Sequence, residues 1–183
     1  MLHAQASPTA SRTADLKIGG GFTNAGGFKD ACTLNNSDGL TIFCGSTNNG
    51  TNNIPNRVNG GMGYFNYDFK PHFGVEGNFH YVKDGDSGVY QKTYEIGGRY
   101  YRTYGKWVPY GKVLYGRGVF NFAVDGDTYA NLAYNLIAVG GGVDYKLRHN
   151  VYIRGDFEYQ NWFSFPQTNL RPTLITVGAA YHF

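Results

Sequence analysis

The chain has 183 residues, with 16 Lys and Arg against 13 Asp and Glu and no basic run, a balance that argues against a nucleic-acid partner. Charged residues are 16% of the total, aromatics 17%, and glycines number 27. No stretch approaches the roughly 18 apolar residues of a membrane-crossing helix. A mean hydropathy of −0.40 still allows crossing by strands, in which only alternate residues meet lipid.

Residues 1–14 read as a residual leader without order, in which Ala4-Gln5-Ala6 matches a small-x-small secretory cleavage pattern. Residues 15–183 then form one domain of eight alternating segments. The first, Asp15 to Thr23, sets Leu16, Ile18, Gly20 and Phe22 on one face, with Lys17 on the other. In the second, Arg57 to Phe69, the residues Phe65, Tyr67 and Phe69 oppose Tyr64, Asn66 and Asp68. The third, Phe73 to Val82, places Phe73, Val75, Phe79 and Tyr81 against Glu76, Asn78 and His80. The fourth, Tyr90 to Arg102, places Tyr94, Ile96 and Tyr100 against Glu95 and Arg99.

The fifth segment, Val108 to Asn121, is the least regular, with Val113 and Tyr115 on the apolar face and Lys112 and Leu114 on the other. The sixth, Asn135 to Leu147, sets Ile137, Val139, Val143 and Tyr145 against Asp144 and Lys146. The seventh, Val151 to Trp162, sets Ile153, Phe157 and Tyr159 against Arg154, Asp156, Glu158 and Gln160. The eighth, Thr173 to Phe183, ends Ile175, Val177, Ala179, Tyr181, Phe183 on its apolar face, with no following residue to cover it.

The connections near 70–72, 104–107 and 148–150 are tight, and those at about 25–56, 83–89, 122–134 and 163–172 are longer. Short turns at one end and long loops at the other are expected of a membrane-inserted barrel. The charges decide between this and a soluble barrel with an apolar interior. Lys17, Glu76, Glu95, Arg99, Lys112, Asp144, Lys146, Arg154, Asp156 and Glu158 all share the face opposite the aromatics. So many charges cannot fill a soluble core, but they can line a polar lumen. The expected fold is an all-β, eight-stranded, antiparallel up-and-down transmembrane β-barrel.

Centring the sixth turn on His149 sets Asp144 opposite Arg154, Gly142 opposite Asp156 and Gly140 opposite Glu158. Asp144 and Arg154 should pair, while Asp156 and Glu158 reach towards Arg99, Lys112 or Lys17. Cys32 and Cys44 lie close together in an Asn/Gly-rich loop without further metal ligands, so a disulfide in an oxidising compartment is expected. The runs Asp84-Gly85-Asp86-Ser87 and Asp125-Gly126-Asp127-Thr128 read as turn chemistry before a calcium site. The Asn35-Asn36-Ser37 and Asn49-Gly50-Thr51 sequons are of a kind that arises by chance in an Asn-rich loop.

The terminal alternation of Val177, Tyr181 and Phe183 resembles the last strand of bacterial outer-membrane barrels. Across residues 15–183 the pattern resembles the small eight-stranded family of the OmpA and OmpX type, without a periplasmic domain after Phe183. The resemblance implies residence in the outer membrane, contact with its lipid and lipopolysaccharide, and reading of the last strand by the barrel-assembly machinery. Eight strands enclose a space about wide enough for side chains to fill. A monomer with a plugged lumen and a structural or surface-interaction role is therefore expected, with no catalytic residues, cofactor or metal. The alternatives are a narrow pore or small-molecule carrier and, less favoured, a lipid-modifying enzyme.

Overall fold

A computed structural model describes residues 15–27, 57–84, 90–124, 127–164 and 170–183, with backbone pairing alone described over 122–132. The strands are β1 (Asp15–Gly26), β2 (Arg57–Lys70), β3 (Phe73–Lys83), β4 (Tyr90–Tyr101), β5 (Trp107–Val124), β6 (Asp127–Lys146), β7 (Val151–Trp162) and β8 (Thr173–His182). Each pairs antiparallel with its chain neighbours, and β1 pairs with β8 to close the barrel. Closure leaves no sheet edge, as backbone polar groups surrounded by lipid require.

The period-two alternation is realised throughout. Ile18, Phe65, Phe79, Tyr94, Val113, Val139, Phe157 and Val177 point outwards, and the polar partners named above point into the lumen. Four outward-facing cations, Arg57, Lys83, Lys92 and Arg117, lie towards the long-connection end of their strands. There the Lys92 ammonium sits 4.8 Å from the Tyr90 ring centroid and 5.3 Å from that of Tyr81, an arrangement suited to the headgroup level of a membrane. The tight turns rest on backbone that few residues adopt, with φ of 83° at His72 and 61° at Gly105.

One connection differs from the sequence reading. The segment expected as a loop over 122–134 is strand instead: β5 continues to Val124 and β6 starts at Asp127, leaving 125–126 between them. A register shift falls between Phe122 and Ala123. β6 meets β7 only from Leu136 onwards, with one further backbone bond from Phe163 to Asn135, so residues 127–134 pair with β5 alone. Beyond Asn121, the last β5 residue paired with β4, the two strands form a two-stranded ribbon. The start of β6 includes Asp127, Asn131 and Asn135, of types that depress strand propensity, and the long antiparallel register with β5 overrides them.

Inside the barrel the side chains form layers, most visible along β5 and β7. The inward residues of β5 run Val108, Tyr110, Lys112, Leu114 and then Phe120, and those of β7 run Tyr152, Arg154, Asp156, Glu158, Gln160, Trp162. Val58, Val82, Leu114, Leu136, Trp162 and Leu174 belong to an apolar cluster towards the long connections. Met62, Tyr64, Val108, Tyr152 and Ala180 form a second cluster towards the short turns. Charged residues occupy the space between.

Candidate functional site

The charged belt is assembled from strands on opposite walls. In the β6–β7 register Asp144 faces Arg154, Gly142 faces Asp156 and Gly140 faces Glu158, the alignment obtained by centring the turn on His149. Arg154 Nε donates to Asp144 Oδ1 at 2.7 Å and Nη2 to Oδ2 at 3.1 Å, a two-pronged geometry that fixes the guanidinium plane. Arg99, from β4, donates through Nη2 to the same Oδ2 at 2.6 Å. Both arginines also approach Glu76, at 3.2 Å from Arg154 and 3.6 Å from Arg99.

The guanidinium planes are covered by aromatic rings. Arg154 lies 3.8 Å from the Tyr64 centroid and Arg99 4.2 Å from that of Tyr110. In a buried setting such contacts replace part of the hydration that each cation loses. Lys112 joins the belt to its upper edge, with Nζ at 2.8 Å from Asp156, 2.9 Å from Glu158 and 3.2 Å from Glu76. A Cβ at Gly140 would meet Lys112 Cε at 3.1 Å, so the glycine makes room for this reach. The Tyr110 hydroxyl donates to the second oxygen of Asp156 at 2.5 Å.

Of the residues expected in the lumen, Lys17, Glu76, Glu95, Arg99, Lys112, Asp144, Arg154, Asp156 and Glu158 are all buried inside the barrel. Lys146 lies half-buried at the last position of β6, on the rim and outside the belt. Lys17 does not reach Asp156 or Glu158 but pairs at 2.8 Å with Asp68, two positions diagonal to its register partner Asn66. Asp68 is a buried member that the sequence reading left out of its charged set. Its inward parity with Tyr64 and Asn66 was the available signal.

A second polar group lies above the belt. Gln160 donates through Nε2 to Glu95 at 2.7 Å and to Glu158 at 2.8 Å. Its own carbonyl accepts from Trp162 Nε1 at 3.0 Å and from Gln91 at 3.1 Å. Those two donors fix which end of the amide faces the carboxylates. His80 completes the group, with Nε2 3.7 Å from Glu158 Oε1. His80, Glu95 and Glu158 each bring one ligand atom to within 4.8 Å of the others. The sequence reading assigned no metal ligand. These three lie on β3, β4 and β7, and no spacing along the chain announces their meeting.

At the seam, Val177 and Tyr181 of β8 face outwards, and Phe183 donates its backbone N–H to Leu16 O at 3.0 Å while its side chain is 67% exposed. Cys32 and Cys44, both sequons and residues 85–87 and 125–126 of the Asp-Gly runs lie outside the described residues; Asp127 and Thr128 of the second run open β6.

A family model described as "Outer membrane protein beta-barrel domain" matches residues 1–183. No curated protein sequence matches the chain. Among solved structures, the chain is similar to Ail, the attachment invasion locus protein of Yersinia pestis, at 18% identity and a TM-score of 0.60, over 94% of this chain and 100% of that one. Neisserial surface protein A superposes with a TM-score of 0.65 at 11% identity, over 93% and 97% of the two chains. OprG of Pseudomonas aeruginosa gives 0.61 at 17% identity, over 93% and 96%. At such identities the likeness concerns the fold.

Proposed function

Because the chain belongs to the outer-membrane β-barrel protein family and resides in the bacterial outer membrane, we propose that it acts as a closed scaffold, presenting its long connections at the membrane surface rather than conducting solutes. The observation that carries this reading is the filled interior. Trp162, Leu114, Leu136 and Leu174 are buried across the lumen at one end, and Arg99, Lys112 and Arg154 bridge opposite walls in the middle. An eight-stranded ring has little room beyond such side chains.

Reconstitution into planar bilayers tests it. Membranes containing the purified barrel should carry no stepwise current above the bare bilayer. Regular conductance steps would overturn the plug and favour the narrow pore or small-molecule carrier. A catalytic role is not part of this proposal, and a mass shift of lipid A on expression would count against it.

The proposal includes a monomer in contact with outer-membrane lipid and lipopolysaccharide, assembled through Val177, Tyr181 and Phe183. Support comes from their outward-facing apolar row on the closing strand. Deleting Phe183 should lower the fraction of heat-modifiable, folded barrel in cells. An unchanged fraction would remove the assembly role.

A further inference from the structure

We propose that His80, Glu95 and Glu158 form a binding site inside the barrel for one divalent transition-metal cation of the zinc class. Charge bookkeeping in the lumen points there first. Among the described residues six carboxylates are buried inside (Asp68, Glu76, Glu95, Asp144, Asp156, Glu158), facing four Lys and Arg (Lys17, Arg99, Lys112, Arg154). Lys17 serves Asp68. Arg99 and Arg154 serve Asp144 and Glu76. Lys112 has its shortest contact with Asp156. The lumen is thus two cations short of its carboxylates. Among the described residues no Lys or Arg lies within salt-bridge distance of Glu95, Glu158 shares Lys112 with Asp156 and Glu76, and a buried imidazole stands beside both. An excess of two negative charges in so confined a space is costly, and one divalent ion cancels it.

Unpartnered atoms supply the second observation. His80 is 1% exposed, yet neither of its ring nitrogens has a hydrogen-bond partner, and Glu95 Oε2 has none either. On Glu158, Lys112 and Asn78 hold Oε2, while Oε1 accepts from Gln160 at 2.8 Å and also faces His80. One nitrogen and two carboxylate oxygens are a donor set that suits zinc and its first-row neighbours better than calcium or magnesium. The ligand atoms lie within 4.8 Å of one another, whereas tetrahedral bonds of ~2.0–2.2 Å set them roughly 3.4 Å apart. The side chains therefore draw inwards around the ion. Gln160 donates to one oxygen of each carboxylate and is itself oriented by Trp162 and Gln91, as outer-shell partners are in metal sites. The ion would tie the β3–β4 wall to β7 across the lumen.

The test is refolding of the full chain into detergent micelles with and without zinc, followed by chelator washing and determination of bound zinc. Wild type should retain about one zinc per barrel. The near-isosteric Glu95→Gln and the variant His80→Gln should each bind at least ~10-fold more weakly. Zinc X-ray absorption of the wild-type barrel should show imidazole and oxygen ligands, a readout that stands even if a variant fails to fold. Three results would overturn the site: no zinc retained by wild type, equal retention by both folded variants, or sulfur ligation indicating Cys32 and Cys44. The first would mean that the lumen balances its charge without a metal ion. None of these outcomes bears on conductance, so the site and the closed-scaffold reading stand or fall separately.

Discussion

The charged belt and the apolar cap fill the same barrel by opposite means. Around Trp162 and Leu114 the space is closed by shape, and each side chain contributes roughly in proportion to the apolar area it removes from water. A Cβ on Gly118 would run into the Trp162 ring, so the cap is shaped down to single carbon atoms. Around Arg154 the space is closed by mutual obligation. Asp144 is held by two arginines and Glu76 is approached by three cations, so no member can leave without stranding another. Packing tolerates graded damage, and a dry charge network does not. The contrast teaches that a sealed lumen can be both polar and rigid.

Breaking one charge should separate the two layers most sharply. Arg154→Ala and Asp144→Ala should each lower unfolding free energy by ~3–5 kcal/mol, less where water enters the gap. The double variant should lose clearly less than the sum, as residues in one network do. Urea unfolding in micelles or lipid vesicles measures all three, and additive losses would show that the belt does not act as a unit. In the cap, Leu114→Ala should cost ~2–4 kcal/mol as a transfer and cavity effect. Combined with Arg154→Ala it should be close to additive, and strong coupling between them would erase the distinction between layers.

The smallest change probes their junction. Trp162→Phe keeps an aromatic ring in the cap but removes the indole N–H that donates to Gln160. The hydrogen bond should account for ~0.5–1.5 kcal/mol of the loss, beside the volume removed with the indole, and that share should vanish in a Gln160→Leu background. A loss that persists there would belong to ring volume alone.

The sequence made one kind of information plain and withheld another. Period-two alternation assigned every segment its inward and outward face, and the short turn at 148–150 set the β6–β7 register to the residue, Asp144 on Arg154. Parity does not report depth. Leu114, Leu136, Leu174 and Trp162 share the inward face with Lys112 and Glu158, and only the stacking of strands separates them into a cap and a belt. Nor does parity report who meets across the ring. Glu76 on β3 reaches Arg154 on β7, and His80 reaches Glu158, through the stagger and diameter of the closed sheet. The strand residues 122–124 and 127–134 were hidden for another reason: Asp127 and Asn131 suggest a loop, and the pairing between β5 and β6 prevails over them.

The seam between β1 and β8 has a consequence for the time course of folding. Seven of the strand pairings join chain neighbours, but the eighth brings together residues such as Thr23 and Thr176, 153 positions apart and linked through their hydroxyls at 2.8 Å. Chain entropy sets that encounter after the local hairpins, because the intervening strands shorten the effective loop only once they have paired. Until then both terminal strands present bare backbone to the bilayer, where unpaired amides are expensive. Ring closure is therefore the committing event of folding, and amides along β1 and β8 should be the last to gain protection from hydrogen exchange.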